Sequence, residues 1–253
     1  MKISIIQYAP IWENPADNIL KIEELLSEFR EDTDLMIFPE MTLTGFTMNS
    51  TDFAEEIDGI STMYFLELSK RLKTNIFAGI IEKDNEKKYN SLVHFNSFGL
   101  INARYRKVHP FSLADEDANY DAGKELVITK IDNSKFGLSV CYDLRFPELY
   151  RKYAKENVSV MINIANWPVK RIDHWRTLAK ARAIENQCFF IGVNRIGSDP
   201  FNEYNGCSCI FDPLGNELLL KENDEGIFNC EIDLSEVKEI REKLPFLKDM
   251  KLI

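Results

Sequence analysis

Lys135-Phe136-Gly137-Leu138-Ser139-Val140-Cys141-Tyr142-Asp143-Leu144-Arg145-Phe146-Pro147-Glu148 opens as a short apolar strand and closes as the start of a helix. Pro147 suits the first helical position, where its missing N–H costs nothing. Tyr150, Tyr153 and Ala154 then recur at helical spacing. Cys141 falls in the turn between them, just past the strand end, where open α/β folds place ligands and reacting groups. A thiol near a helix N-terminus can be held partly as thiolate. Most intracellular cysteines are instead small buried hydrophobes, so position alone leaves both readings open.

Working outward, the segments on either side repeat the same plan. Lys2–Tyr8 alternates as a strand, and Asn14-Pro15 caps a helix whose apolar face is Ile19, Ile22, Leu26 and Phe29. Asp34–Pro39 is a strand whose Leu35-Met36-Ile37-Phe38 is apolar throughout, hence buried on both faces. Glu40 follows it directly, then a loop over Thr42–Phe46. Ser61–Lys73 reads as helix and Asn75–Ile81 as strand. Tyr89–Phe95 and Leu100–Arg106 read as a hairpin, closed by Lys107. The long polar stretch from His109 to Lys124 is a loop of the kind that often carries function. Beyond the Pro147 helix come a strand over Ser159–Ile164, a helix over Asp173–Asn186 and a strand over Gln187–Val193. A loop over Asn194–Gly206, three short strands and a short charged helix complete the pattern.

The order is thus βαβαβ, hairpins, βαβαβ and a meander, with no linker-like segment between the halves. About a dozen strands are too many for one comfortable open sheet. Two sheets packed face to face with helices outside bury both faces of the apolar strands. The expected fold is an α/β four-layer αββα sandwich, residues 1–253 forming one domain.

The formal net charge of −10 argues against nucleic acid or an anionic membrane as partner. Trp12-Glu13-Asn14-Pro15 breaks the first apolar run before it reads as a signal peptide, and no run approaches membrane-spanning length. The five cysteines are read as reduced and the protein as cytoplasmic. The three histidines are too scattered for a metal site, and no phosphate- or dinucleotide-binding glycine motif occurs. No metal and no cofactor are expected.

Glu40, Lys107 and Cys141 each follow a strand directly. A carboxylate, an ammonium and a thiol meeting at one edge form a nucleophilic site: the carboxylate activates the thiol, and the ammonium with the Tyr142 N–H stabilises a developing oxyanion. Each also has a plainer reading. Glu40 could cap a turn, and Lys107 stands in the basic run Arg104-Tyr105-Arg106-Lys107, a pattern usually met on solvated faces.

Phe38-Pro39-Glu40, Tyr105-Arg106-Lys107-Val108-His109-Pro110-Phe111 and Cys141–Glu148 resemble, in order, the three signature segments of the nitrilase superfamily of carbon–nitrogen hydrolases. The resemblance implies the αββα sandwich and catalytic roles for Glu40, Lys107 and Cys141. It also implies a second glutamate after the lysine, mapped onto Glu116, with Asp115 and Asp117 solvent-facing. Asn166-Trp167-Pro168-Val169-Lys170-Arg171, with His174-Trp175 and Ala181–Gln187, is similar to the ω-amidase branch. That branch implies hydrolysis of the terminal amide of small α-keto acid amides, 2-oxoglutaramate and 2-oxosuccinamate, and a homodimer. The alternatives are another hydrolase of the superfamily (carbamoyl-amide hydrolase, aliphatic amidase or nitrilase) and a non-catalytic binding protein on the same fold. An anionic substrate needs a local cation in this acidic chain. Arg171 is the first candidate, since a guanidinium matches a carboxylate bidentately; Arg145 and Arg195 are rivals, Arg145 being equally suited to pairing with an acid near the turn. Phe46, Tyr142 and Trp167 are candidate pocket walls.

Overall fold

A computed structural model describes residues 1–252. The strands are β1 Lys2–Gln7, β2 Leu35–Ile37, β3 Asn75–Asp84, β4 Lys87–Phe95, β5 Ile101–Arg106, β6 Ile128–Ile131, β7 Ser134–Val140, β8 Val160–Ala165, β9 Phe189–Asn194, β10 Ile196–Ser198, β11 Glu203–Phe211, β12 Glu217–Glu222 and β13 Gly226–Glu231. The helices are α1 Pro15–Ser27, α2 Ser50–Phe53, α3 Ile60–Leu72, α4 Glu116–Asn119, α5 Pro147–Lys155, α6 Ile172–Asn186 and α7 Ser235–Lys243. Six strands form one sheet in the order β13-β1-β2-β3-β4-β5. In the other, β10-β11-β9-β8-β7-β6 are joined by β12 on β11.

Each sheet is built around three parallel strands with helical crossovers, β1-β2-β3 in one and β7-β8-β9 in the other. Alternation along β7 shows how the layers close. Phe136, Leu138 and Val140 enter the core shared with Ile5, Ile37, Phe77 and Leu92 of the facing sheet. Gly137 lies against the Tyr153 ring of α5 on the opposite side, and Ser139 bonds the Tyr150 hydroxyl at 2.8 Å. A second core packs α1 and α3 on the outer face of the first sheet, with Phe65 between Phe38 and Phe95. The arrangement is the expected αββα sandwich.

The helix caps follow the sequence. Asn14 caps α1, its side chain accepting from the Asp17 N–H, with Pro15 in the first turn. Pro147 opens α5. The segment over 194–206 departs from the expected loop: β10 and the start of β11 pair there as a hairpin, Ile196 opposite Asn205. Its polar residues and Gly197 and Gly206 at positive φ hide a strand pair whose stability comes from neighbouring structure rather than from its own alternation.

Candidate active site

Glu40 leaves the C-terminal end of β2 at a tight turn. Met41 beside it has φ 44°. The turn packs so closely on β3 that a Cβ at Gly79 would lie 2.4 Å from the Met41 nitrogen. The Glu40 carboxylate is buried and fully engaged. Oε1 accepts from Lys107 Nζ at 2.9 Å and Asn90 Nδ2 at 2.7 Å; Oε2 accepts from the Asn166 N–H at 2.7 Å and Asn166 Nδ2 at 3.3 Å.

Lys107 follows β5, where alternation sorts the basic run by face. Arg104 and Arg106 turn outward and bind the buried Glu82, each at 2.6 Å. Tyr105 and Lys107 turn inward and are 0% and 1% exposed. Lys107 Nζ also meets Glu116 Oε2 at 2.8 Å and Oε1 at 3.0 Å. Glu116 begins α4 and is buried, while Asp115 and Asp117 are exposed. Its Oε2 further accepts the Phe111 N–H at 2.6 Å.

Cys141 stands at an elbow with φ 45°, a left-handed conformation that costs a non-glycine residue about 1–2 kcal/mol. Asp143 fixes that elbow. Its Oδ2 accepts the Val140 N–H at 2.9 Å and the Tyr105 hydroxyl, from the other sheet, at 2.7 Å. Its Oδ1 accepts the His109 N–H at 3.0 Å and meets His109 Nδ1 at 2.7 Å. His109 in turn stacks on Phe146 at 3.7 Å.

The charges are those of a compact buried cluster. For Lys107, burial alone would lower the pKa; the Glu116 and Glu40 carboxylates outweigh it and hold the ammonium well above its ordinary range. Burial pushes the Glu116 carboxyl up, against the pull of Lys107. Burial, then the Glu40 charge, push the Cys141 thiol well above its ordinary value, Lys107 opposing. Desolvation and the nearby carboxylates thus oppose the partial thiolate that a helix terminus alone would favour.

Cys141 opens into a cavity of about 50 Å³, lined among others by Phe46, Tyr142, Arg145, Trp167 and Arg171. Arg171 stacks over Phe111 at 5.4 Å and Arg145 over Trp167 at 4.8 Å. Among the described residues neither forms an ion pair. Arg145 therefore does not pair with an acid near the elbow; Asp143 is already saturated by Val140, Tyr105 and His109, and Arg145 instead reaches His174 Nδ1 at 3.3 Å. Arg195 is a second correction. It lies fully buried behind the Tyr204 ring, bonded to the Ile196 and Ser198 carbonyls, and does not line the cavity.

Residues 2–242 match the family model described as carbon-nitrogen hydrolase. A 2-oxoglutaramate amidase of Bacillus subtilis is 37% identical over 98% of this chain and 97% of its own length. An omega-amidase of Yersinia enterocolitica is 32% identical over 98% and 96%. The crystal structure of a CN-hydrolase superfamily protein from Xanthomonas campestris, with an arsenic adduct in its active site, superposes with a TM-score of 0.95. That protein is 30% identical, over 100% of this chain and 98% of its own. The chain belongs to the carbon–nitrogen hydrolase family.

Within this carbon–nitrogen hydrolase, the structure brings together every residue singled out for the site except Arg195. Three participants went unnoticed as site residues. Asn90 precedes the Ser91–Arg106 pair of the β4–β5 hairpin and accepts the Lys107 N–H on its carbonyl at 2.8 Å. The hairpin register, carried one step further, would have found it. Asn166 follows β8, and both its main-chain N–H and its side-chain amide bind Glu40, from a segment 126 residues away in the chain. Asn194, at the end of β9, clamps the Trp167 peptide from both sides, accepting its N–H at 2.7 Å and donating to its carbonyl at 2.9 Å.

Proposed function

We propose that this chain is an ω-amidase that hydrolyses the terminal amide of small α-keto acid amides to the dicarboxylic acid and ammonia. The observation that carries the reading is the buried Glu40–Lys107–Glu116 cluster beside Cys141, under a cavity bordered by two arginines that have no acid partner among the described residues. The names of the relatives support the same substrate class.

The reaction runs as follows. Glu40 takes the Cys141 proton as sulfur attacks the amide carbon. The oxyanion is held by the Lys107 ammonium and the Tyr142 N–H. Glu40 returns the proton to the leaving nitrogen; the C–N bond breaks, ammonia departs and a thioester remains on Cys141. Water then gives a proton to Glu40 and attacks the thioester, releasing the carboxylic acid and restoring the thiol. Glu116 keeps Lys107 protonated and aimed. Arg171, with Arg145 beside it, receives the substrate carboxylate, and Phe46, Tyr142 and Trp167 wall the pocket. We read the protein as a cytoplasmic homodimer of single-domain subunits. Sedimentation as a monomer at micromolar concentration would remove the dimer.

Ammonia release from 2-oxosuccinamate and 2-oxoglutaramate, by wild type and Cys141→Ala in parallel, tests the reading. Release by wild type alone supports it. Release of ammonia only from carbamoyl or simple aliphatic amides would move the chain to another activity of the family, and no release from any amide would favour a binding protein.

A further inference from the structure

Asn90 joins both carboxylates of the cluster. Its Nδ2 lies 2.7 Å from Glu40 Oε1 and 2.9 Å from Glu116 Oε1. The same two oxygens accept from Lys107 Nζ at 2.9 Å and 3.0 Å. Lysine, two glutamates and one amide thus form a closed ring. Asn90 is 1% exposed, and its Oδ1 is buried without a partner among the described residues. Turning the amide over would satisfy nothing, since it would set that oxygen against two carboxylate oxygens. The side chain tolerates an orphaned acceptor, a costly arrangement, in order to spend both N–H groups on the glutamates.

The need for those donors follows from charge. Two carboxylates and one ammonium leave the buried ring with one net negative charge. Burial and like charge both disfavour the ionised form of a carboxyl, whereas N–H donors favour it. For Glu116, burial and the Glu40 charge push upward while Lys107 and Asn90 pull downward. A second cation would also hold the carboxylates ionised, but it would neutralise the ring and make Glu40 a poorer base. An amide supplies the donors without the charge.

We propose that Asn90 is a positioning residue of the amidase site: by giving one N–H to Glu40 and the other to Glu116, it holds both carboxylates aligned on Lys107 and favours their charged form. The inference rests on the amidase reading for its kinetic consequence, but not for its effect on protonation.

The test compares wild type, Asn90→Leu and Asn90→Asp. The Leu variant removes both donors and adds no titratable group; the Asp variant keeps the shape but puts a third carboxyl into the cluster. Turnover in both variants should fall about 100-fold, with KM little changed, and the acidic limb of the pH–rate profile should move up by about one unit. Thermal unfolding between mildly acidic and mildly alkaline pH gives a readout free of substrate. A carboxyl that titrates higher in the folded than in the unfolded chain binds protons preferentially when folded, so stability is lost as pH rises. The deficit in Tm of Asn90→Leu relative to wild type should therefore grow with pH; in Asn90→Asp the added carboxyl contributes a slope of its own, so the Leu variant decides. A deficit constant across pH, with an unshifted rate profile, would reduce Asn90 to packing and overturn the proposal. If wild type releases no ammonia, the amidase reading falls, and the Tm comparison alone decides for or against Asn90.

Discussion

At the scale of single residues, the site turns on how much charge is buried together. Lys107 is the only cation in direct contact with Glu40 and Glu116 among the described residues. Removing one partner of a buried ion pair strands the other, at a typical cost of about 3–5 kcal/mol. Lys107→Met should lose about that much in urea unfolding near neutral pH. The sign with pH is fixed by the carboxyls left behind. Without the ammonium, burial raises the folded pKa of Glu116 further above the unfolded one, so stability is present at low pH and lost as pH rises. The variant should recover toward wild type on acidification, and a deficit that stayed flat would contradict the assignment. Glu40→Gln keeps the shape but cannot take a proton. Turnover should fall by about 10² to 10⁴ while circular dichroism stays unchanged; near-normal turnover would remove Glu40 as the base. Residue identity made these positions legible in the sequence. The ionisation state of Cys141 was not, because it depends on how many carboxylates converge from distant segments, and the helix-terminus argument counts only its own.

At the scale of elements, alternation explains both what the sequence revealed and what it hid. The period-2 rule separates Arg104 and Arg106 from Tyr105 and Lys107 once β5 is known to have a buried face. In the sequence alone the run reads as a solvated stripe. The elbow was legible from Val140, Cys141 and Pro147, but its anchor was not, because Asp143 is held by Tyr105 and His109 from across the sandwich. His94 on β4 shows the same effect. It reaches Thr129 of β6, in the other sheet, at 2.7 Å, and Asn75 of the adjoining β3 at 3.1 Å. Desolvation lowers its pKa from 6.5 to about 4. The folded chain keeps it neutral while the unfolded chain binds a proton, so stability is full above 6.5 and declines as pH falls toward 4. The shift corresponds to roughly 3 kcal/mol across that window. His94→Gln should show a shallower decline over the same range, and an unchanged slope would mean that other groups carry the acid sensitivity.

At the scale of the whole molecule, the site belongs to neither sheet alone. Glu40 and Lys107 end strands of one sheet, Cys141 and Asn166 end strands of the other, and the core between the sheets sets their separation. Rigidity of that core should therefore matter to turnover in a way that packing elsewhere does not. Two buried phenylalanines make a controlled comparison. Phe136 of β7 meets Phe77 of the facing sheet at 6.1 Å between ring centres, inside the shared core. Phe65 of α3 packs on the outer face of the first sheet, 5.1 Å from Phe38 and 5.7 Å from Phe95. Both are fully buried, and truncating either to alanine should cost about 3–5 kcal/mol, the range for a buried phenylalanine. A cavity between the sheets lets β7 shift relative to β2 and β5. Near-attack geometry is sensitive at the scale of an ångström, where a misplacement can cost about 100-fold. Phe136→Ala should therefore lose turnover per folded molecule well beyond its loss of stability, whereas Phe65→Ala should lose stability with turnover nearly intact. Turnover measured well below each variant's Tm, alongside urea midpoints, separates the two. Equal losses of turnover in both would mean that the two sheets hold the site together independently of the packing between them.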